Sequence, residues 1–328
     1  MAHIYVYSPS GAVRDKAAFR RGVKRLQALG HEVEIDPDAL VSHQRFAGDD
    51  ATRLAAIGRA AASGADVALI TRGGYGLTRL LPDLPYRPLA RAAEKGTRFV
   101  GLSDFTALQL ALLAKTGATT WAGPALCEGF GAADEGDAVQ GHGGQPATGG
   151  PDEIMLACFE DMVSGAGEGT GWRLPTADIA ALNDKPGGKA GTLAHAAPLW
   201  GGNLALVTSL LGTPWWPDVK GGVLFLEDVA EHPYRIERML AQLLHAGVLA
   251  RQKAIVLGQF TEYKLTPHDR GYAMAKVVDW LRGQLPRTPV LTGLPFGHVP
   301  TKVLLPVGAR IDLLVEGREA LVLWGHAH

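Results

Sequence analysis

Three residues of this 328-residue chain stand where chemistry could be done: a serine on a strand-to-helix turn, a carboxylate closing an apolar strand, and a histidine in a Pro/Gly loop. In Gly101-Leu102-Ser103-Asp104-Phe105-Thr106 a strand pattern ends at Leu102 and a helical pattern begins at about Asp104, which puts Ser103 on the turn. That placement exposes the hydroxyl and aims the helix N-terminal N–H groups, with their partial positive charge, at whatever the hydroxyl attacks. The usual G-x-S-x-G spacing of a nucleophile elbow fails, because Phe105 stands where the second glycine belongs. Ser103 or Asp104 could equally be a helix N-cap.

The second place is Arg72-Gly73-Gly74-Tyr75-Gly76, directly after an apolar strand. Consecutive glycines let backbone approach a ligand closely, and their amides can form an anion-binding nest. A dinucleotide fingerprint is the rival, but Arg79 occupies the third glycine's position and no acidic residue closes a strand some twenty residues on. An oxyanion-hole loop beside Ser103 fits better, since both loops lie at the same end of a parallel sheet; a plain tight turn is the alternative. Glu227 and Asp228 end the apolar run Leu224-Phe225-Leu226, and His298 closes Gly293-Leu294-Pro295-Phe296-Gly297. With Ser103 they supply a nucleophile, an acidic orienter and a base in the order Ser…Glu…His, although such triads are recognised by geometry and not by order.

The elements that must position these groups alternate. Strand patterns at 3–7, 65–71 and 99–102 are interleaved with helical patterns carrying Phe19, Val23 and Leu26, then Leu54, Ile57 and Ala61, then residues 105–115. Alternation of this kind predicts a parallel sheet covered on both faces. Residues 129–151 lack any apolar period and read as a solvated loop between domains; a helix follows over 152–163, then a polar stretch to about Lys189. Further on, helices are expected over 203–211, 234–246 and 273–285, strands over 223–226 and 254–260, and a hairpin around Glu316-Gly317-Arg318-Glu319. The domain expectation is 1–128, a linker or insertion over 129–189, and 190–328.

Lys and Arg number 32 against 33 Asp and Glu, and a net charge of −1 offers no field to nucleic acid or to an anionic membrane surface. Cys127 and Cys158 are too few for a disulfide framework and lack zinc spacing. No stretch approaches the roughly 18 apolar residues of a membrane span, and the apolar run at 3–7 lacks a signal peptide's basic leader. A soluble, cytoplasmic protein is expected.

Eight ordered blocks then carry a resemblance. They are residues 71–82, 101–108 and 122–124, Gly202-Asn203-Leu204, residues 224–229, residues 233–240, residues 257–260 and residues 293–298. The series resembles the LD-carboxypeptidase family of serine peptidases, which includes muramoyltetrapeptide carboxypeptidases and microcin C self-immunity peptidases, from Ser8-Pro9-Ser10 to about Ile311. The resemblance implies an α/β fold: an N-terminal parallel-sheet (Rossmann-like) domain plus a smaller mixed α/β C-terminal domain, with the active site between them. It implies Ser103 as nucleophile, Glu227 as orienter and His298 as general base. The backbone N–H of Asp104 and one from the Gly73-Gly74 turn, taken as Gly74, would form the oxyanion hole. No metal or other cofactor is implied, and a homodimer is. Arg72, Tyr75 and Asn203 are substrate-binding candidates, and Arg79 and Arg235 are further cations for a terminal carboxylate.

The expected substrate is a small peptide, either a muropeptide cut before a terminal D-amino acid in peptidoglycan recycling, or a peptide–nucleotide antibiotic. The chain departs from the family pattern mostly from Glu128 to about Lys189, and the antibiotic would want an aromatic stacking residue in that segment, where Trp172 is the only tryptophan. A non-catalytic α/β module binding a small ligand is the alternative of another class.

Overall fold

The computed structural model describes residues 1–134, 149–184 and 191–325. Its first half builds strands β1 (His3–Tyr7), β2 (Glu32–Ile35), β3 (Val67–Ile70), β4 (Arg98–Gly101) and β5 (Thr120–Ala122). Between them run helices α1 (Lys16–Ala28), α2 (Asp50–Ala62), α3 (Tyr86–Glu94) and α4 (Phe105–Thr116). Then come α5 (Glu153–Ser164), β6 (Gly169–Arg173), α6 (Thr176–Asn183), β7 (Gly191–Asn203), α7 (Leu204–Ser209), β8 (Val223–Val229), α8 (Pro233–His245) and β9 (Ala254–Thr261). The chain ends with α9 (Met274–Gln284), β10 (Val290–Leu291), β11 (Leu305–Val307), β12 (Arg310–Glu316) and β13 (Glu319–Leu323).

The first sheet has the order β2-β1-β3-β4-β5-β11, parallel except for β11, which returns from the C-terminal half to run antiparallel to β5. Side chains alternate across its plane. Ile4 and Val6 join Phe19, Leu26 and Phe159 on one face, while Tyr5 and Tyr7 join Ile57, Ala60 and Leu108 on the other. Both faces are therefore covered by helices, as a parallel sheet requires. Strand order reverses at β1 and β3, so the crevice beyond their carboxyl ends is where such sheets take ligands. The loops there are Ser8–Gly11 and Arg72–Gly76.

The second sheet has the order β10-β9-β8-β7-β12-β13-β6; β7 to β10 are parallel and the rest antiparallel. Helix α4 ties the halves together. Every residue from Phe105 to Leu112 is buried, and the helix touches β5 and β11 of the first sheet and β7 and α7 of the second. This burial on every side, Thr106 and Gln109 included, is that of a helix enclosed between two sheets.

The expected linker is more ordered than its composition implies. Met155, Phe159 and Met162 of α5 enter the core beneath the first sheet. The polar stretch after it contains β6, the edge of the second sheet, and α6, whose buried Asp178 bonds Arg282 and Thr292. The helix expected over 203–211 is shorter, because Asn203 ends β7 and caps α7. The glycine-rich residues 135–148 and the histidines at 326 and 328 lie outside the described residues. Among the described residues, no helix is long and apolar enough to cross a membrane.

Candidate active site

Ser103 has φ +63°, a left-handed backbone that costs a non-glycine residue free energy and marks a sharp turn. Asp104 stands at the N-cap of α4 but makes no capping bond with its side chain, so neither residue serves as an ordinary cap. Phe105, which breaks the elbow spacing, folds its ring back over Gly101, where a Cβ would fall 2.7 Å from it. Gly73 lies directly against the serine, where a Cβ would sit 2.7 Å from Ser103 Cβ and 3.0 Å from its Oγ. The carbonyl of Gly73 accepts from Gly11 N–H at 3.1 Å, which locks the two loops at the strand-order reversal. Among the described residues the backbone N–H groups of Asp104 and Gly74 find no acceptor.

Glu227 is completely buried at the carboxyl end of β8, and its Oε2 lies 2.8 Å from His298 Nδ1. The loop carrying the histidine is fixed by Gln259, whose N–H donates to Phe296 O at 2.9 Å and whose Nε2 donates to Leu294 O at 3.0 Å. Gly297 has φ +134°, and a Cβ there would come within 3.1 Å of Glu227 Oε2. Only glycine lets the loop pass so close. Asn203 Nδ2 donates to Glu227 Oε1 at 3.3 Å and to Asp228 Oδ1 at 3.0 Å, while its backbone N–H donates to Thr106 Oγ1 at 3.1 Å. Thr106 is three residues beyond Ser103. Hydrogen bonds thus run from the first turn of the serine's helix through Asn203 and Glu227 to His298, across the junction of the halves.

The charges at this junction are coupled. Burial disfavours the His298 imidazolium, but the Glu227 carboxylate and the charge of Glu128 overcome it and hold the ring above its ordinary pKa. Burial, with Glu227 adjacent, pushes Asp228 up to about 6. Lys302 is only 3% exposed, and burial pulls its ammonium below the usual range. Glu128 Oε1 lies 3.4 Å from Arg72 Nε and keeps 49% of its side chain exposed. Desolvation by the surrounding protein pushes its carboxyl up, against the pull of Arg72, His298 and Lys302. Sequence reasoning passed over Glu128 and Lys302: a lone carboxylate and a lone ammonium carry no spacing signal, and only the fold brings them to the histidine.

The family model for the LD-carboxypeptidase N-terminal domain matches residues 4–123, and that for the C-terminal domain matches residues 196–313. The chain belongs to the LD-carboxypeptidase family. A putative carboxypeptidase of Synechocystis is 31% identical over 94% of this chain and 90% of its own length. A probable murein peptide carboxypeptidase of Bacillus subtilis is 28% identical over 90% and 84%. The crystal structure of muramoyltetrapeptide carboxypeptidase from Oxalobacter formigenes superposes with a TM-score of 0.81 at 38% identity, covering 98% of each chain.

This LD-carboxypeptidase chain distributes its other sequence-predicted residues unevenly. Tyr75 is 46% exposed, packed against Phe46 with Arg45 over its ring. Asn203 is 4% exposed and engaged with the two carboxylates. Arg79 pairs with Asp50 at 2.8 Å, and Arg235 with Glu231, in the loop just ahead of α8, at 3.7 Å; neither pairing involves the triad candidates. Trp172 is buried in β6 and donates to Thr292 O at 2.9 Å, which makes it a brace for the histidine loop and not a stacking surface. Trp215 and Trp216 pack at the edge of the core. Burial pushes the Cys127 thiol up, away from reactivity. Asp269 closes a capping box with Thr266 and meets His232 at 3.3 Å.

Proposed function

We propose that this chain is a serine carboxypeptidase that hydrolyses the L,D-peptide bond to a C-terminal D-amino acid, with the muropeptide tetrapeptide as its substrate class. The observation that carries the proposal is the hydrogen-bonded path from Thr106 through Asn203 and Glu227 to His298. With Nδ1 facing Glu227, Nε2 carries the lone pair that takes the Ser103 proton. The alkoxide attacks the scissile carbonyl, and the tetrahedral oxyanion is received by the N–H groups of Asp104 and Gly74. His298 then gives its proton to the leaving amine, and water activated by the same ring resolves the acyl-enzyme. One such amide donor is worth about 3 kcal/mol, so the pair matters as much as the base.

Arg72, 17% exposed at the root of the glycine loop, is the cation best placed for the substrate's terminal carboxylate, with Glu128 as its partner until substrate arrives. The same reading takes the enzyme as a cytoplasmic homodimer. Incubation with an L,D-tetrapeptide and its D,D-pentapeptide relative, with products weighed by mass spectrometry, tests the specificity. Release of terminal D-alanine from the tetrapeptide alone supports it. Cleavage of the pentapeptide alone, or of neither, overturns it.

A further inference from the structure

Asp104 enters the proposed mechanism through its backbone, yet its side chain is the more unusual feature. The carboxyl is fully buried next to the nucleophile. Its Oδ2 accepts the Ser10 hydroxyl at 2.5 Å and the Leu77 backbone N–H at 2.9 Å. Ser10 belongs to the loop after β1, and Leu77 ends the loop after β3 that carries Gly73 and Gly74. A single oxygen therefore joins three separate loops at the strand-order reversal, one of them holding the serine and another an oxyanion amide. Gly11 N–H to Gly73 O and the close approach of Gly73 to Ser103 are the remaining ties in the same cluster.

We propose that the Asp104 carboxyl is a positioning residue that sets the Gly73-Gly74 amides at their working distance from Ser103, so that it acts on the transition state and not on substrate affinity. This rests on Ser103 being the nucleophile. Burial also pushes the Asp104 carboxyl up, which favours a neutral group. That suits its place, because a negative charge behind the oxyanion hole would oppose the charge that develops there. What the site requires of residue 104 is then an oxygen that accepts two hydrogen bonds, which an asparagine carbonyl can supply.

The test compares the whole protein with Asp104→Ala, Asp104→Asn and Ser10→Ala in three readouts: tetrapeptide kcat and KM, the rate of Ser103 phosphonylation by a fluorophosphonate, and thermal melting. The probe's phosphoryl oxygen occupies the oxyanion hole whatever the natural substrate is. Asp104→Ala is expected to lower kcat and the phosphonylation rate together by about 100-fold, with KM within about threefold. Asp104→Asn should recover most of that loss. Ser10→Ala removes one tie and leaves the carboxyl in place, so a fall of about tenfold is expected without a change in fold. Lowered melting with kcat and phosphonylation unchanged would make Asp104 merely structural and overturn the proposal. So would an Asp104→Asn variant as slow as Asp104→Ala, or a change confined to KM. A wild-type chain that the probe does not label would instead remove the nucleophile assignment, and this inference with it.

Discussion

Replacing Glu227 by glutamine keeps the shape of the buried side chain and deletes its charge. The carboxylate lies 2.8 Å from His298 Nδ1 and is fully buried, so little water screens the pair. At an effective dielectric near 20, two unit charges at that separation attract by about 6 kcal/mol, which bounds the loss of kcat at about ten-thousand-fold. A second effect arises from the histidine's surroundings. Glu227 and Glu128 raise its pKa, while burial and Lys302 lower it. Without Glu227 the lowering influences gain, and the pKa falls. A general base must be neutral, so wild-type kcat/KM should rise with pH through a value above the ordinary histidine pKa of about 6.5. In Glu227→Gln that rise should move to lower pH while the plateau drops by three to four orders of magnitude, roughly as when a Ser-His-Asp triad loses its acid. Linkage supplies an independent check. A raised histidine pKa stabilises the fold fully below the unfolded value and ceases to do so as pH passes the folded value, so the variant's loss of melting temperature should be larger near about pH 5 than near about pH 9. A kcat within tenfold of wild type, or an acid limb that stays in place, would show that Glu227 does not act on His298 in turnover.

Gly73→Ala should fold normally yet lose about 100-fold in kcat/KM, because a methyl group 2.7 Å from Ser103 Cβ forces the loop away from the serine; paired kinetics and circular dichroism check it. Asp178→Ala leaves Arg282 and the Thr292 N–H without their buried partner, at a cost of about 3–4 kcal/mol in a denaturation midpoint; a change below about 1 kcal/mol would contradict this. Burial opposes ionisation of Asp36, but hydrogen bonds from Arg59 at 2.7 and 2.9 Å prevail and hold its carboxyl below the usual range. Its stabilisation is therefore present above the unfolded value of about 4 and lost as pH falls through the lower folded value, so Asp36→Asn should flatten the acid limb of the stability curve. Parallel curves would count against it.

Elements with a clear apolar period were legible in the sequence, and those whose burial comes from context were not. Leu54, Ile57 and Ala61 place helix α2, yet its buried stripe is Arg53, Ala56, Ile57 and Ala60. Arg53 is fully buried with its guanidinium against the Phe46 ring and a bond to Asp50, a solution no hydrophobic pattern announces. Strand β6 escaped because Gly-Thr-Gly-Trp-Arg places only Trp172 in the core, as an edge strand can. Strand β7 was missed because glycines at 201 and 202 interrupt its apolar run; a Cβ on Gly202 would meet Thr106 Oγ1 at 2.5 Å, so the junction itself demands the break.

In the site, Ser103, Glu227 and His298 stand out one by one from residue type and local placement, but only the ordered family blocks join them into one site. Their spacings of more than 70 residues say nothing about proximity, and the Glu227–His298 contact depends on β8 and the loop after β10 lying at one end of the second sheet. Glu128, Lys302 and the side-chain role of Asp104 had no signal, since each owes its chemistry to neighbours from distant loops.

The proposed mechanism requires a covalent bond to the Ser103 oxygen during turnover. Intact-mass analysis after exposure to a fluorophosphonate, followed by peptide mapping, tests it most directly. The serine oxygen should displace fluoride at phosphorus and its proton should pass to His298, leaving one adduct per chain on the peptide containing Ser103 and none in Ser103→Ala. An undiminished adduct in Ser103→Ala, or tetrapeptide turnover by that variant at the wild-type rate, would rule Ser103 out as the nucleophile.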